Sequence, residues 1–382
     1  MPSYLKRVAS TLRTDPNVET TVRSMLAEIA EHRDEAVKRY ARQFDGWERG
    51  DFRVSDDELR RVERDLPATF KEDFAYCRSR IMDFARRQLE SMREFEVESE
   101  PGIILGQKLI PVDSVGCYIP GGRYPLISAA IMSIGTAKTA GVGYVIGAAP
   151  PRDGKGIFPH TLYAMHACGA DEIFVIGGVQ ALAAMAHGCV GMRAVDMIIG
   201  PGNAYVAEAK RQLFGLVGID LLAGPTEILI IADDSADPAL VAIDLLGQAE
   251  HGPDSPAWLV TTSRRLGEAV LTEVDRQLAI TPTNEIAAVA WRDLGEVVIV
   301  DNADEAIEVS DAYAPEHLEV MTTDNEYYVA NLTNYGSLFI GEESTVAYGD
   351  KGIGTNHTLP TARAARYTGG LWAGKFIKTL TY

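Results

Sequence analysis

The sequence predicts an α/β protein: two Rossmann-like, doubly wound parallel-sheet domains with helical terminal extensions. Three observations carry this expectation. From about Gly102, short β-branched runs alternate with helical segments, as parallel sheets with crossover helices require. The runs end in Gly, Pro or Asp, the residues at which strands turn. The alternation also comes in two sets, with no short repeat and no low-complexity linker between them. The expected organisation is N-terminal helices with the first part of domain 1 over 1–105 and a Rossmann-like domain 2 over 106–224. A return to domain 1 over 225–360 and a C-terminal extension over 361–382 complete it.

Residues 16–44 are charged and amphipathic, with Val22, Met25, Leu26, Ile29 and Val37 at helical spacing. "DFRVSDDELRRVERDL" and "KEDFAYCRSRIMDFARRQLESM" continue as helices whose charge runs read as solvated faces. The first strand set is "SVGCYIP", "GYVIGAAPP", "EIFVIGG", "VDMIIGPGN" and "EILIIADD". Helical segments such as "FPHTLYAMHACG" and "NAYVAEAKRQLFG" lie between them. The second set runs from "AWLVTTS" through "GEVVIVDN" and "PEHLEVM" to "GSLFIG". In open parallel sheets, ligands bind at the carboxyl ends of strands. That rule singles out the loops "YIPGGRYP", "IGGVQAL", "GPGNAYV" and "AGPTE". No G-x-G-x-x-G follows a strand. "GPGN" is a glycine turn into a helix N-terminus, suited to a phosphate or nucleotide, or simply to the backbone's own needs.

Composition narrows the partners. Hydrophobic content of 46% permits large cores, and 36 basic against 54 acidic residues give a net charge of -18. That balance argues against nucleic acid or an anionic membrane. The start, "MPSYLKRVAS", lacks the apolar core of a signal peptide, and no apolar run is long enough to span a bilayer, so a cytoplasmic location is expected. Cys77, Cys117, Cys168 and Cys189 show no Cys-x-x-Cys spacing and read as reduced, mostly buried thiols. Cys117 could form a hemithioacetal with an aldehyde, but a small core residue at a strand end is the favoured reading.

"LLGQAEHGPDS" poses a sharper question. Asp237 and Pro238 start a helix, and Gly252-Pro253 stops it. Leu240, Val241, Ile243, Leu245 and Leu246 are apolar on most sides, so the helix should be buried. Asp244, Gln248 and His251 form one polar stripe on it. Such a stripe is either a hydrogen-bonded core feature or part of a metal site.

Seven stretches together resemble the histidinol dehydrogenase family, in its order and spacing. They are "YIPGG" (118–122), "GGVQA" (177–181), "GPGNAYVAEAKRQ" (200–212), "AGPTE" (223–227), "QAEHGPDS" (248–255), "PEHLE" (315–319) and "GTNHTLPT" (354–361). The resemblance implies a homodimeric, Zn2+- and NAD-dependent dehydrogenase. Such an enzyme takes a primary alcohol through an aldehyde to a carboxylate. It implies Gln248, His251 and Asp350 as zinc ligands and Glu316 and His317 as the catalytic pair. Tyr118, Gln180 and Asn203 then contact NAD, and Thr226 contacts the substrate together with Gln248, His251, His317 and Asp350. An imidazole suits removal of the hydroxyl proton, and a carboxylate suits activation of water for the aldehyde. His32, His160, His166 and His187 lie outside the motifs and read as packing or surface residues.

The departures from the family pattern bear on the substrate. Where the family usually reads Asp-Tyr and Asn-His-Val-Leu-Pro-Thr, this chain has "GDKGIGTNHTLPT". Lys351 thus replaces an aromatic residue beside a metal ligand. Together with "EPGIILGQKLIPVDSVGCYIPGG" and "RYTGGLWAGKFIKTLTY", this resembles the sulfopropanediol 3-dehydrogenase branch. The implied reaction is (R)-2,3-dihydroxypropane-1-sulfonate to (R)-3-sulfolactate. Lys351, Arg366 or Lys375 would match the sulfonate, or else they are surface charges. L-Histidinol is the alternative substrate, and an inactive metal- or nucleotide-binding homologue is the second alternative. The family also implies a C-terminal tail bringing a fourth ligand, a His, to the partner subunit. No candidate follows Tyr382: either the tail lies beyond this sequence or the site is modified, and with three protein ligands water or substrate would complete the shell.

Overall fold

The computed structural model describes residues 2–8, 16–121 and 125–382. The chain is mixed α/β and divides into two compact units. The first comprises Met1–Thr14, Ala223–Gly349 and Leu359–Gly370, and the second Asp15–Leu222, Asp350–Thr358 and Leu371–Tyr382.

Strand β1 (Ser3–Lys6) opens the chain as an edge strand of the first unit. The second unit then begins with α1 (Pro16–Tyr40), which breaks at Arg33, where φ is 49°. Val22, Ile29 and Val37 are fully buried, as their spacing predicts. α2 (Asp56–Asp65) starts at a capping box in which Ser55 and Glu58 satisfy each other's backbone N–H. α3 (Ala68–Glu90) follows. β2 (Phe95–Glu100) and β3 (Ile103–Pro111) pair antiparallel, and the C-terminal strand Ile377–Thr381 pairs with the other side of β3. The terminal segments are therefore not only helical. β1 and this last strand both have an exposed or half-exposed face, so their sequences show no core periodicity to announce them.

The main sheet of the second unit is parallel, in the order β6-β5-β4-β7-β8. β4 (Ser114–Tyr118) leads through α4 (Ser128–Ala130), a π turn at Ile131–Gly135 and α5 (Thr136–Thr139) to β5 (Tyr144–Ala149). α6 (Pro159–Ala167), β6 (Glu172–Val175) and α7 (Gly178–His187) continue the alternation. β7 (Met197–Ile199), α8 (Ala204–Leu213) and β8 (Gly218–Ile219) close it on the far side of β4. Strand order reverses between β4 and β7, which opens a crevice at their carboxyl ends.

The first unit repeats the plan. β9 (Ile228–Ala232), α9 (Pro238–Ala249), β10 (Ala257–Thr261), α10 (Arg264–Leu278), α11 (Asn284–Leu294) and β11 (Glu296–Ile299) form one half. α12 (Ala303–Tyr313), β12 (His317–Met321), α13 (Asn325–Asn331), β13 (Ser337–Ile340) and α14 (Val346–Asp350) form the other. The order is β1-β11-β10-β9-β12-β13, parallel except for β1. β9 is central and buried on both faces: Ile228 and Ile230 join one core, Leu229 and Ile231 the other. Its unbroken apolar run follows from that position.

Helix α9 differs from expectation in two ways. It ends at Ala249, so His251 lies in the following turn and not on the helix. Pro253 has no N–H to continue the ladder and disfavours helix in the residue before it. The helix is also not buried all round, because Leu240 and Ile243 are 39% and 55% exposed. Its N-terminus is as expected: Asp237 accepts from Ala239 N at 2.8 Å. Asp237→Ala should therefore lower stability by about 1 kcal/mol in denaturant unfolding.

Candidate active site

The expected catalytic residues of the first unit collect at the amino ends of β9 and β12, not at a carboxyl edge. Thr226 and Glu227 immediately precede β9, Glu316 immediately precedes β12, and His317 is its first residue. The two strands pair in parallel with His317 opposite Ile228. α9 runs antiparallel to the strand before it, so its last turn returns to this same edge and brings Gln248 with it. The carboxyl-end rule thus fails for "AGPTE".

A hydrogen-bond relay joins these groups. Thr226 Oγ1 donates to Glu316 Oε2 at 2.5 Å, and Gln248 Nε2 donates to Thr226 Oγ1 at 2.5 Å. Glu227 N also donates to Glu316 Oε2 at 3.0 Å. Thr226 thus gives its single hydroxyl proton to Glu316 and receives the Gln248 amide nitrogen. The Gln248 amide is thereby oriented, with its oxygen on the other branch. The relay uses both sides of the Thr226 hydroxyl, which the sequence had assigned to substrate. Gln248, Glu316 and His317 are all buried, whereas His251 is exposed.

His317 is fixed by the neighbouring strand. Its Nδ1 lies 3.0 Å from the Glu227 carbonyl oxygen, which also accepts His317 N at 3.3 Å. A carbonyl cannot donate, so Nδ1 carries the proton and Nε2 carries the basic lone pair of the neutral ring. Glu316 Oε2 lies 3.5 Å from the same Nδ1. The ring has two supports, a strand carbonyl and a carboxylate.

Sequence reasoning passed over Glu227. It is 1% exposed, and its Oε1 has no hydrogen-bond partner among the described residues. Burial raises its pKa to about 8, with the Glu316 charge adding to the effect. The N–H groups of Ala362, Glu316 and Arg363 oppose the shift. Ala362 and Arg363 hold φ of 52° and 66°, a strained pair for residues with side chains. A second acid pair lies one layer deeper: burial and Asp244 push the Glu319 carboxyl well above its usual range. Glu319 accepts Val346 N at 3.2 Å, at the head of α14. Asp350, the third expected zinc ligand, is the last residue of that helix. Asp244, first in the polar stripe, thus answers to another acid.

The expected cofactor residues gather in the second unit, at the carboxyl ends of its strands. Tyr118 ends β4, and its Oη accepts Gly178 N at 3.3 Å. Gln180 follows in the first turn of α7, buried, with Nε2 donating to Asp45 Oδ2 at 3.0 Å. Asp45 also accepts Gly177 N and is another site residue the sequence did not reveal. Burial raises the Tyr118 phenol to about 12, so it stays neutral. Asn203 caps α8, accepting from Tyr205 N and Val206 N at 3.1 Å each. Its loop touches β4: a Cβ on Gly200 would stand 2.1 Å from Tyr118 O. Part of the "YIPGG" motif, at residue 122, lies outside the described residues.

The remaining candidates are scattered. Lys351 is exposed, and its carbonyl accepts the Cys77 thiol at 3.2 Å. Arg366 is exposed and donates to Arg363 O, while Lys375 is half-buried. Cys117 is fully buried within β4, and burial drives its thiol far up, which suits a core residue and not a nucleophile.

The histidinol dehydrogenase family model matches residues 9–382. The chain belongs to the histidinol dehydrogenase family. A histidinol dehydrogenase homolog of Shouchella clausii is 55% identical over 96% of this chain and 86% of its own. The sulfopropanediol 3-dehydrogenase of Ruegeria pomeroyi is 47% identical over 99% of this chain and 88% of its own. The crystal structure of histidinol dehydrogenase from Elizabethkingia anophelis superposes with a TM-score of 0.91 at 34% identity, covering 97% of this chain and 86% of that one. Enzymes of this family are oxidoreductases that use NAD and Zn2+, and membership supports both cofactors. No helix among the described residues is long and apolar enough to cross a membrane.

Both cofactors fit groups present in the chain. For NAD, the switch point between β4 and β7 holds Tyr118 and a turn into α8 that only glycine permits. A Cβ on Gly202 would meet Val206 at 2.5 Å. For zinc, no three His, Cys, Asp or Glu side chains cluster among the described residues. Gln248, an expected ligand, has its amide nitrogen committed to Thr226, which leaves its amide oxygen as the donor atom it can offer a metal.

The raised Glu227 carboxyl makes a signed prediction. An acid whose pKa rises from 4.5 to about 8 on folding contributes most favourably below pH 4.5. Its contribution falls as pH climbs to about 8, because the unfolded chain releases a proton that the folded chain keeps. Glu227→Gln should flatten this part of the pH dependence. Calorimetric melting at pH 5 and pH 8 should show a smaller loss in the variant than in the unaltered protein.

Proposed function

We propose that the protein is a zinc- and NAD-dependent dehydrogenase of (R)-2,3-dihydroxypropane-1-sulfonate, yielding (R)-3-sulfolactate through the aldehyde. It acts as a cytoplasmic homodimer. The observation that carries the reaction type is the His317 tautomer, fixed by the Glu227 carbonyl beside a Glu316 tethered to Gln248 through Thr226. The substrate reading rests on the 47% identity to a sulfopropanediol 3-dehydrogenase and on Lys351 beside Asp350.

Bound zinc would supply Lewis-acid polarisation of the alcohol oxygen, and bound NAD would supply the hydride acceptor for each of two oxidations. The chain's own groups do the rest. Gln248 through its amide oxygen, His251 and Asp350 hold the metal in this reading. His317 Nε2 takes the hydroxyl proton, and the ring becomes an imidazolium supported by Glu227 O and Glu316. In the second stage Glu316 activates the water that adds to the aldehyde. Tyr118, Gln180 and Asn203 contact the dinucleotide. Each turnover converts one alcohol, one water and two NAD+ into one carboxylate, two NADH and three protons.

His251→Ala should abolish zinc binding and turnover while leaving the fold intact. Metal analysis showing undiminished zinc would remove His251 from the ligand set.

Substrate choice is tested by NADH production. The sulfonate diol should be turned over efficiently and L-histidinol poorly. A sulfonate is permanently charged, and Lys351 would be its fixed-charge partner. Lys351→Tyr should raise KM for the diol by roughly 1.5–3 kcal/mol of lost charged hydrogen bonding. Efficient oxidation of L-histidinol, with none of the diol, would instead assign the histidinol reaction. That reading is favoured by the structural match to a histidinol dehydrogenase.

A further inference from the structure

The glycine turn of the second unit rests on a buried ion pair that the proposed mechanism does not use. Lys210 is 2% exposed and Asp220 is 4% exposed, and they contact each other directly. Lys210 Nζ donates to Gly200 O at 2.9 Å. Asp220 Oδ2 accepts Gly200 N at 2.9 Å, and Oδ1 accepts Leu221 N at 2.7 Å. The pair therefore grips both peptide groups of one residue. Gly200 follows β7 directly and holds φ of 123°. Its backbone is pressed so closely to Tyr118 O that no side chain fits. Three residues on, Asn203 begins α8, and Lys210 projects from the same helix two turns later.

A buried ion pair is a poor way to gain stability, because well-packed apolar residues commonly do as well. What it supplies is fixed geometry, because the two charges must meet and each must find its remaining partners. Here those partners are the N–H and C=O of the turn at the switch point. Without them Gly200 could rotate its peptides, and the Gly200–Asn203 loop would lose its register against β4.

We infer that Lys210 and Asp220 are positioning residues for the dinucleotide, holding the Gly200–Asn203 turn in the shape that receives it. This rests on the NAD reading above. Neither side chain touches the cofactor in this account; both act through Gly200.

The test is NAD+ binding by calorimetric titration, measured beside circular dichroism and steady-state kinetics. In Lys210→Met/Asp220→Asn the buried charges are removed together, so the fold should persist. The variant should bind NAD+ about tenfold more weakly or worse, with KM for NAD+ rising in parallel. At saturating NAD+, kcat should stay within about threefold, since the catalytic groups lie in the other unit. Lys210→Gln keeps a donor for Gly200 O and should lose less affinity than Lys210→Met. A folded double variant with unchanged NAD+ affinity would overturn the inference. So would the failure of both the double variant and Lys210→Gln to fold, which would make the pair a stability element alone. No NAD+ binding by the unaltered protein would overturn the cofactor reading itself.

Discussion

The edge that gathers the expected catalytic residues depends on one pairing, that of β9 with β12 at their amino ends. With His317 opposite Ile228, the residue before β9 offers its carbonyl to the imidazole. The same register places Glu316, one residue upstream, within reach of Thr226 and of the Glu227 amide. A slip of one residue would turn His317 to the opposite face of the sheet. The pairing is held by the fully buried sides of both strands, Leu229 and Ile231 against Leu318 and Val320. Core packing on one part of the strand thus sets the hydrogen bonding of His317 and Glu316 at its end.

The two units put the same topology to different uses. In the second, the expected cofactor residues Tyr118 and Asn203 occupy the carboxyl ends of β4 and β7, where parallel strands diverge at a switch point. In the first, the corresponding crevice carries none of the expected catalytic residues. They lie at the opposite edge, where α9 comes back and presents Gln248. The chain passes from one arrangement to the other in a few residues, since Asp220 belongs to the glycine-turn clamp and Thr226 to the relay.

Much of this was legible in the sequence, for identifiable reasons. Strands buried on both faces announce themselves as apolar runs, so β5 and β9 are readable. β2 is exposed along its whole length and gives no such signal. The start of α9 was legible because capping is local chemistry. The amino-edge placement of the site was not, because Thr226 and Glu316 are 90 residues apart and only pairing brings them together. The missed residues did leave traces. Lys210 follows Val206 by four residues and precedes Leu213 by three, which sets a charge on the buried face of α8. Glu227 heads a run, "EILIIA", that is otherwise apolar.

Those traces share a physical meaning. Burying an ionisable group is costly unless something holds it, so each such group marks a place where geometry matters more than stability. Lys210 and Asp220 meet the cost by pairing, and they fix a turn. Glu227 meets it by keeping its proton, and it lies where the backbone is strained at Ala362 and Arg363. Glu319 and Asp244 meet it against each other, and Glu319 holds the head of the helix that ends in Asp350. The raised pKa of Glu227 also explains how two carboxyls tolerate one small buried space. Glu316 is the one that accepts the Thr226 hydroxyl. The difference between these neighbouring acids is therefore set by solvent exclusion around Glu227 and by the backbone and hydroxyl donors that Glu316 receives.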